Sequence, residues 1–459
     1  MTKSEIRDFT KGNITKQLIV FSLPLFLSNL LQIVYNMVDM VVVGAVCDKA
    51  GISAVSIGGD VVALLTFVGM GFGAAAQVLI ARFVGAGQKE KIGRFVGTTA
   101  AFLTIATVVV SALALIFRHQ ILKLMNTPEE AYTWALEYSV VCMLGLVFIY
   151  GYNVVSAILR GMGDSKHPFI FIAIAAAVNV VLDILLVVVF PLGPMGAAIA
   201  TVTSQGVSFV VSLVFLIIKR DSFGLYVEIR DFIHFDRQLL GELVRLGTPM
   251  AIKMAAIQFS KLFVNSWING YGLEVSAFAG IANKIAAIAN LISNAMNTAG
   301  STMVGQNIAA GKFDRVKKIL LNLAVITLSI AALCSGVMAI FPEAVYSLFS
   351  KEAEVIAVGD KFVPIAVLLF VAGALRAVMN SLLNGSGNYK VNFVTAILDG
   401  MVMRIGLSLL FGLALGMEHY GFWLGDALAG FTPFLIGVGF YFTDIWKKGA
   451  CVEVPEEKE

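Results

Sequence analysis

Apolar runs long enough to cross a bilayer recur twelve times along the chain, at 17–45, 54–81, 95–117, 132–159, 168–190, 195–218, 242–269, 275–304, 319–341, 355–383, 392–415 and 420–446. Polar turn clusters such as Gly85-Ala-Gly-Gln88, Gly161-Met-Gly-Asp-Ser165 and Gly385-Ser-Gly-Asn388 separate them. At about 1.5 Å per residue, roughly 20 helical residues cover a hydrocarbon core. The pattern predicts an all-α integral membrane protein with twelve transmembrane helices. Composition agrees, since 58% of the 459 residues are hydrophobic and 14% charged, against about 25% charged in soluble domains. The first run follows a polar stretch, 1–16, and continues past Val43 without a small-residue cleavage site. It reads as a retained span rather than a signal peptide.

The pattern is also duplicated. Leu159-Arg-Gly161-Met-Gly163-Asp-Ser-Lys166 matches Leu383-Asn-Gly385-Ser-Gly387-Asn-Tyr-Lys390 at an offset of 224 residues, and Pro24 pairs with Pro249 at 225. With an even number of spans per half, both halves enter the membrane in the same sense. This predicts two six-helix bundles related by a parallel internal repeat, an architecture of transporters. The expected organisation is an N-lobe over 1–218, a linker over 219–240 along the inner membrane surface, a C-lobe over 241–449 and a polar tail over 450–459. Of the 33 Lys and Arg residues, 23 fall on the side of the N-terminus, five on the opposite side and five within spans. The positive-inside rule then places both termini in the cytoplasm of a multi-pass cell-membrane protein.

Polar residues inside the runs carry the candidate chemistry. Asn179 and Asp183 sit one helical turn apart in the fifth run. An ionisable group at that depth is costly without a partner or water. Asp39 ends a stripe, Ser28, Gln32, Asn36 and Asp39, along one face of the first run. Two neighbouring carboxylates out of water share a proton or a cation, which suits ion coupling. Other stripes are Gln258, Lys261, Asn265 and Asn269 in the seventh run, Asn283, Asn290, Asn294, Asn297 and Ser301 in the eighth, and Arg376, Asn380 and Asn384 in the tenth. One Asn alone is accounted for by interhelical hydrogen bonding, worth about 1 kcal/mol. Four stripes over both halves point instead to a water-accessible substrate cavity, with Gln32, Asn36, Gln258, Lys261, Asn265, Lys284, Asn290, Asn294, Arg376 and Asn380 as its candidates. Lys284 is the repeat partner of Asp60, at an offset of 224.

Other classes fit poorly. The net charge of +3 is spread along the chain, which argues against nucleic acid as a partner. The four cysteines lie far apart and have no histidine at ligand spacing, so no zinc site or disulfide framework is suggested. The four histidines lie near span ends or in loops without a Ser or Cys partner, which disfavours an intramembrane enzyme.

Together these residues resemble the multidrug and toxic compound extrusion (MATE) family. The likeness runs from Thr10-Lys-Gly-Asn-Ile-Thr-Lys-Gln-Leu18 and Phe21-Ser-Leu-Pro24 through Val38-Asp39 and Val43-Gly44. It continues with Arg160-Gly-Met-Gly-Asp164, Asn179 to Asp183, Gly196-Ala-Ala-Ile-Ala-Thr201, and Gly305-Gln-Asn307 with Gly311. The resemblance implies alternating access of a cavity between two lobes. It also implies export of organic, often cationic, compounds in exchange for H⁺ or Na⁺, with no cofactor. Residues matching Asp39, Asn179, Asp183 and Thr201 would handle the coupling ion, and their oxygens suit a hard cation such as Na⁺. Expected partners are small organic substrates and membrane lipids, and the expected state is a monomer. An alternative within the wider superfamily is a flippase for lipids or lipid-linked saccharides. One departure stands out: many relatives carry a Glu about two turns after the seventh-span proline, where this chain offers Lys253, Gln258 and Lys261 after Pro249.

Overall fold

The computed structural model describes residues 6–47, 49–125, 127–225 and 236–448. Residues 226–235 of the expected linker and the expected tail at 450–459 lie outside the described residues. Regular structure among the described residues is helical throughout. Twelve long helices run in order: α1 Ile14–Val46, α2 Lys49–Gly85, α3 Lys89–Ile116, α4 Glu129–Gly161, α5 Lys166–Val189, α6 Gly193–Ile218, α7 Arg237–Asn269, α8 Leu273–Ala309, α9 Phe313–Ile340, α10 Val363–Gly385, α11 Tyr389–Ala414 and α12 Glu418–Phe442. Eleven are long and apolar enough to cross a membrane. The exception is α7, which has the length but carries Lys253, Gln258, Lys261 and Asn265 along it. The run expected at 355–383 is broken. A short helix at Ala353–Val358 and a tight turn at Gly359–Lys361 precede α10. The polar Gly-Asp-Lys sequence and Pro364 in the first turn of α10 explain the restart, since proline donates no hydrogen bond and is tolerated there.

Side chains on the outer faces are those lipid would solvate. Val108, Val181, Leu321 and Val325 are each more than half exposed. In water such a surface would be an aggregation liability.

The helix boundaries repeat as the sequence does. Leu273 follows Lys49 by 224 residues, and Phe313 follows Lys89 by the same number. Beyond α11 the offset becomes 225, as Glu418 relative to Gly193. The extra residue falls where α11 contains a π-helical segment, Leu398–Val402, with no counterpart in α5. A π turn is how a helix absorbs one inserted residue. A second π segment, Leu410–Ala414, corresponds to Ile184–Val189 in α5.

By contacts the described chain forms two compact units. The first gathers residues 6–7, Leu27–Val84 and Gln88–Gly247, and the second Asp8–Phe26, Gly85–Gly87 and the chain from Thr248 onward. Thus α1 passes from the second unit to the first just after Pro24, and α7 from the first to the second just before Pro249. Both prolines interrupt helix hydrogen bonding at these crossings. In the second unit Phe9, Leu18 and Phe21 pack with Met303, Val304 and Ile319. Gln306 and Asn307 hold the entering segment: the Phe9 amide donates to Gln306 Oε1 at 2.9 Å, and Asn307 Nδ2 donates to Phe9 O at 3.1 Å.

Close helix contacts are made through small residues. Along α12, Gly421 and Gly425 press on the α11 backbone. A Cβ on Gly421 would lie 2.4 Å from the Phe411 carbonyl carbon, and one on Gly425 would lie 2.4 Å from the Ser408 nitrogen. Gly196 meets Leu186 in the same way in the first unit, 225 residues earlier in each case. Backbone cannot step aside as a side chain can. Gly425→Ala is therefore expected to cost about 1–3 kcal/mol, read as a fall in the thermal midpoint of the detergent-solubilised protein. Gly439→Ala in the same helix, with no atom within 4 Å of the new Cβ, is expected to leave the midpoint unchanged or slightly raised.

Candidate functional site: a buried carboxylate pair and a buried cationic cluster

In the first unit, Asp39, Asn179, Asp183 and Thr201 come together from three helices. Asp39 lies on α1, Asn179 and Asp183 on α5, and Thr201 on α6. Asp183 is the last α-helical residue before the π segment Ile184–Val189. Asp39, Asn179 and Asp183 are at most 2% exposed. Thr201 Oγ1 donates to Asp39 Oδ2 at 3.3 Å, and Asp183 and Asn179 face the same carboxylate. Asp39 Oδ1, both Asp183 oxygens and both amide atoms of Asn179 are buried without a hydrogen-bond partner among the described residues. Buried polar atoms are rarely left so. The donor set, two carboxylates, an amide oxygen and a hydroxyl, fits a proton or a hard monovalent cation. It offers too few acidic or imidazole ligands for a transition metal, and no group of three or more such ligands occurs among the described residues.

Three residues that sequence reasoning missed complete these surroundings. Tyr35 lies one turn before Asp39 and accepts a hydrogen bond from Gln205 Nε2 at 3.3 Å. Tyr138, on α4, faces Thr201 and the two acids. The signal for Gln205 was present, because Thr201, Gln205, Ser208 and Ser212 recur along one face of α6. Tyr138 sits in an apolar run and carried none.

The second unit differs in sign. Arg404, 1% exposed, forms a hydrogen-bonded ion pair with Asp426 and reaches Asp399 Oδ1 at 3.4 Å. Lys253 Nζ lies 3.9 Å from Asp399 Oδ2 and donates to Asn380 Oδ1 at 2.8 Å. Asp399 lies within the inserted π segment, and Ser260 on α7 donates to the carbonyl of the next residue, Gly400. Arg376 and Lys261 face the same acids from farther away. Arg376 Nε donates to Gly430 O at 3.4 Å. At the offset of 225, Arg404 and Asp426 occupy the positions that Asn179 and Thr201 occupy in the first unit.

The remaining cavity candidates differ in exposure. Gln258, Asn265 and Asn290 are half-buried, and Lys284 and Asn294 are exposed. Gln32 and Asn36 lie on the part of α1 that belongs to the first unit, half-buried and exposed respectively. Asp60 is exposed within that unit. Asn297 bonds to Ser301 at 3.1 Å and to Asn384 at 3.4 Å, the helix-joining role expected of an intramembrane Asn.

Twelve long helices in two repeated units, with unpaired buried acids in one, form the duplicated helical architecture common among transporters. The chain belongs to the MatE family, whose model matches residues 24–185 and again 249–416, once in each half. It is thus a multi-pass membrane protein of the MATE multidrug efflux transporters. Among relatives, it is 28% identical over 443 residues to Probable multidrug resistance protein YoeA of Bacillus subtilis, with 96% of each chain covered. It is 22% identical over 407 residues to the multidrug export protein MepA of Staphylococcus aureus, covering 88% of each. The fold is similar to a crystal structure of MATE in the bent conformation, at TM-score 0.89 and 22% identity over 98% of this chain and 99% of that one. It is also similar to a MOP superfamily transporter from Pyrococcus furiosus described as having reverse polarity of its binding pocket, at TM-score 0.88 and 23% identity over 97% and 99% of the two chains.

The Arg404 cluster has a stability consequence. Arg404→Met would leave Asp399 and Asp426 without their main counter-charge, a loss expected to cost about 3–5 kcal/mol. A large drop in the detergent melting temperature and in yield of folded protein is the expected result.

Proposed function

We propose that the protein is a secondary active antiporter of the cell membrane, with both termini cytoplasmic, that exports organic drug-like compounds in exchange for H⁺ or Na⁺. Alternating access of a cavity between an N-lobe, 1–218, and a C-lobe, 241–449, carries the substrate, and the monomer suffices. The observation that supports this reading is the Asp39–Asp183 pair, buried and facing one another with three carboxylate oxygens unpartnered.

Two carboxylates removed from water repel strongly unless a proton or cation sits with them. Ion arrival offsets one of the two charges, relieves the repulsion between the acids and favours the conformation in which they are shielded. Ion departure restores the repulsion and favours a conformation in which water reaches it. A transported ion with different affinity for the two conformations shifts their populations, which is the minimum coupling requires. Asn179 and Thr201 supply neutral oxygens that tolerate either occupant. The bond from Thr201 to Asp39 keeps one oxygen of that acid engaged and the other free.

Replacing either acid by its amide removes the exchangeable charge while keeping shape. Asp39→Asn and Asp183→Asn are each expected to abolish efflux of norfloxacin while membrane insertion persists. Proteoliposomes with a pH gradient and a Na⁺ gradient imposed separately identify the ion, and loss of transport in both variants under the active gradient is the expected outcome. Full extrusion by either variant would remove the pair from the mechanism.

A further inference from the structure

The second unit buries more positive than negative charge. Among the described residues its interior brings together Lys253, Lys261, Arg376 and Arg404 with Asp399 and Asp426 against them. Lys253 and Arg404 are the partners of those two acids. Arg376 has its one hydrogen bond, to a backbone carbonyl, and Lys261 has neither hydrogen bond nor ion pair among the described residues. From Pro249 to Asn269, α7 contains no acidic residue.

A desolvated cation without counter-charge is strongly unfavourable, and intramembrane charges left so mark ligand paths. Both residues are half-buried rather than sealed, so a solute can reach them. The bond from Nε to Gly430 fixes the plane of the Arg376 guanidinium, and its terminal amino groups make no hydrogen bond among the described residues. A planar fork and an ammonium that face the same two acids suit an oxyanion, which accepts two parallel bonds from the fork and a third from the lysine.

We propose that Arg376 and Lys261 bind an oxyanion, the carboxylate or phosphate of the transported molecule. The cargo is then an organic anion or zwitterion rather than a simple cation. This rests on the export reading and narrows its substrate class.

Rhodamine 110 and its methyl ester rhodamine 123 test it, since they differ in whether the carboxylate is free. Full-length protein in phosphatidylcholine vesicles is expected to show a lower KM for the acid than for the ester. Arg376→Gln and Lys261→Gln are each expected to raise the acid-to-ester KM ratio about tenfold, and Arg376→Lys should fall between. An unmoved ratio, or transport of the ester alone, would overturn the proposal. If neither dye moves under either ion gradient, it is the export reading that fails. Fluorescence anisotropy of rhodamine 110 with detergent-solubilised protein then decides separately. Binding weakened in Arg376→Gln upholds the oxyanion site, and no binding refutes it. Competition by phosphatidylglycerol but not by a soluble carboxylate would assign the oxyanion to a lipid headgroup, and the reverse would assign it to soluble cargo.

Discussion

A charge taken out of water must be matched, and the two units answer that constraint in opposite ways. In the first, two carboxylates face each other with only a hydroxyl bonded to them. In the second, two acids are matched by Lys253 and Arg404, and two further bases stand near them. The same repeated scaffold therefore holds one site short of positive charge and another with a surplus. Neither arrangement contributes to stability as a hydrophobic core would, because desolvating ions commonly offsets their attraction.

The scaffold can hold such sites because the rest of each bundle is apolar and closely packed. Gly421 and Gly425 bring α12 against the backbone of α11, and Gly196 does the same between α6 and α5. In the second unit the contact accompanies the pairing of Asp426 on α12 with Arg404 on α11. The π turn at Leu398–Val402 has no counterpart in α5, and it carries Asp399 to the foot of Lys253 and Arg404. One inserted residue thus accompanies the change from an acidic site to a basic one.

The membrane class, the helical content, the parallel duplication and the intramembrane placement of Asp39 and Asp183 were legible in the chain. Bilayer thickness forces long apolar runs, and polar residues stand out against them. The polar stripes, with Lys284 added as the repeat partner of Asp60, named a set of cavity candidates without saying which of them face one another. In the structure Asn36, Lys284 and Asn294 are exposed and Asn297 bonds to Ser301 and Asn384.

By itself the sequence determined how many helices form, where most of them end and which of them carry charge, because those follow from local hydrophobicity and turn chemistry. Only the tertiary structure decided which charges meet. Asp39 and Asp183 are 144 residues apart, and Tyr138 reaches them from an apolar run with no polar signature. The shift of α1 and α7 from one unit to the other also depended on packing. Those outcomes turn on helix rotation and close approach, which a periodicity of polar positions constrains on each helix alone and never between helices.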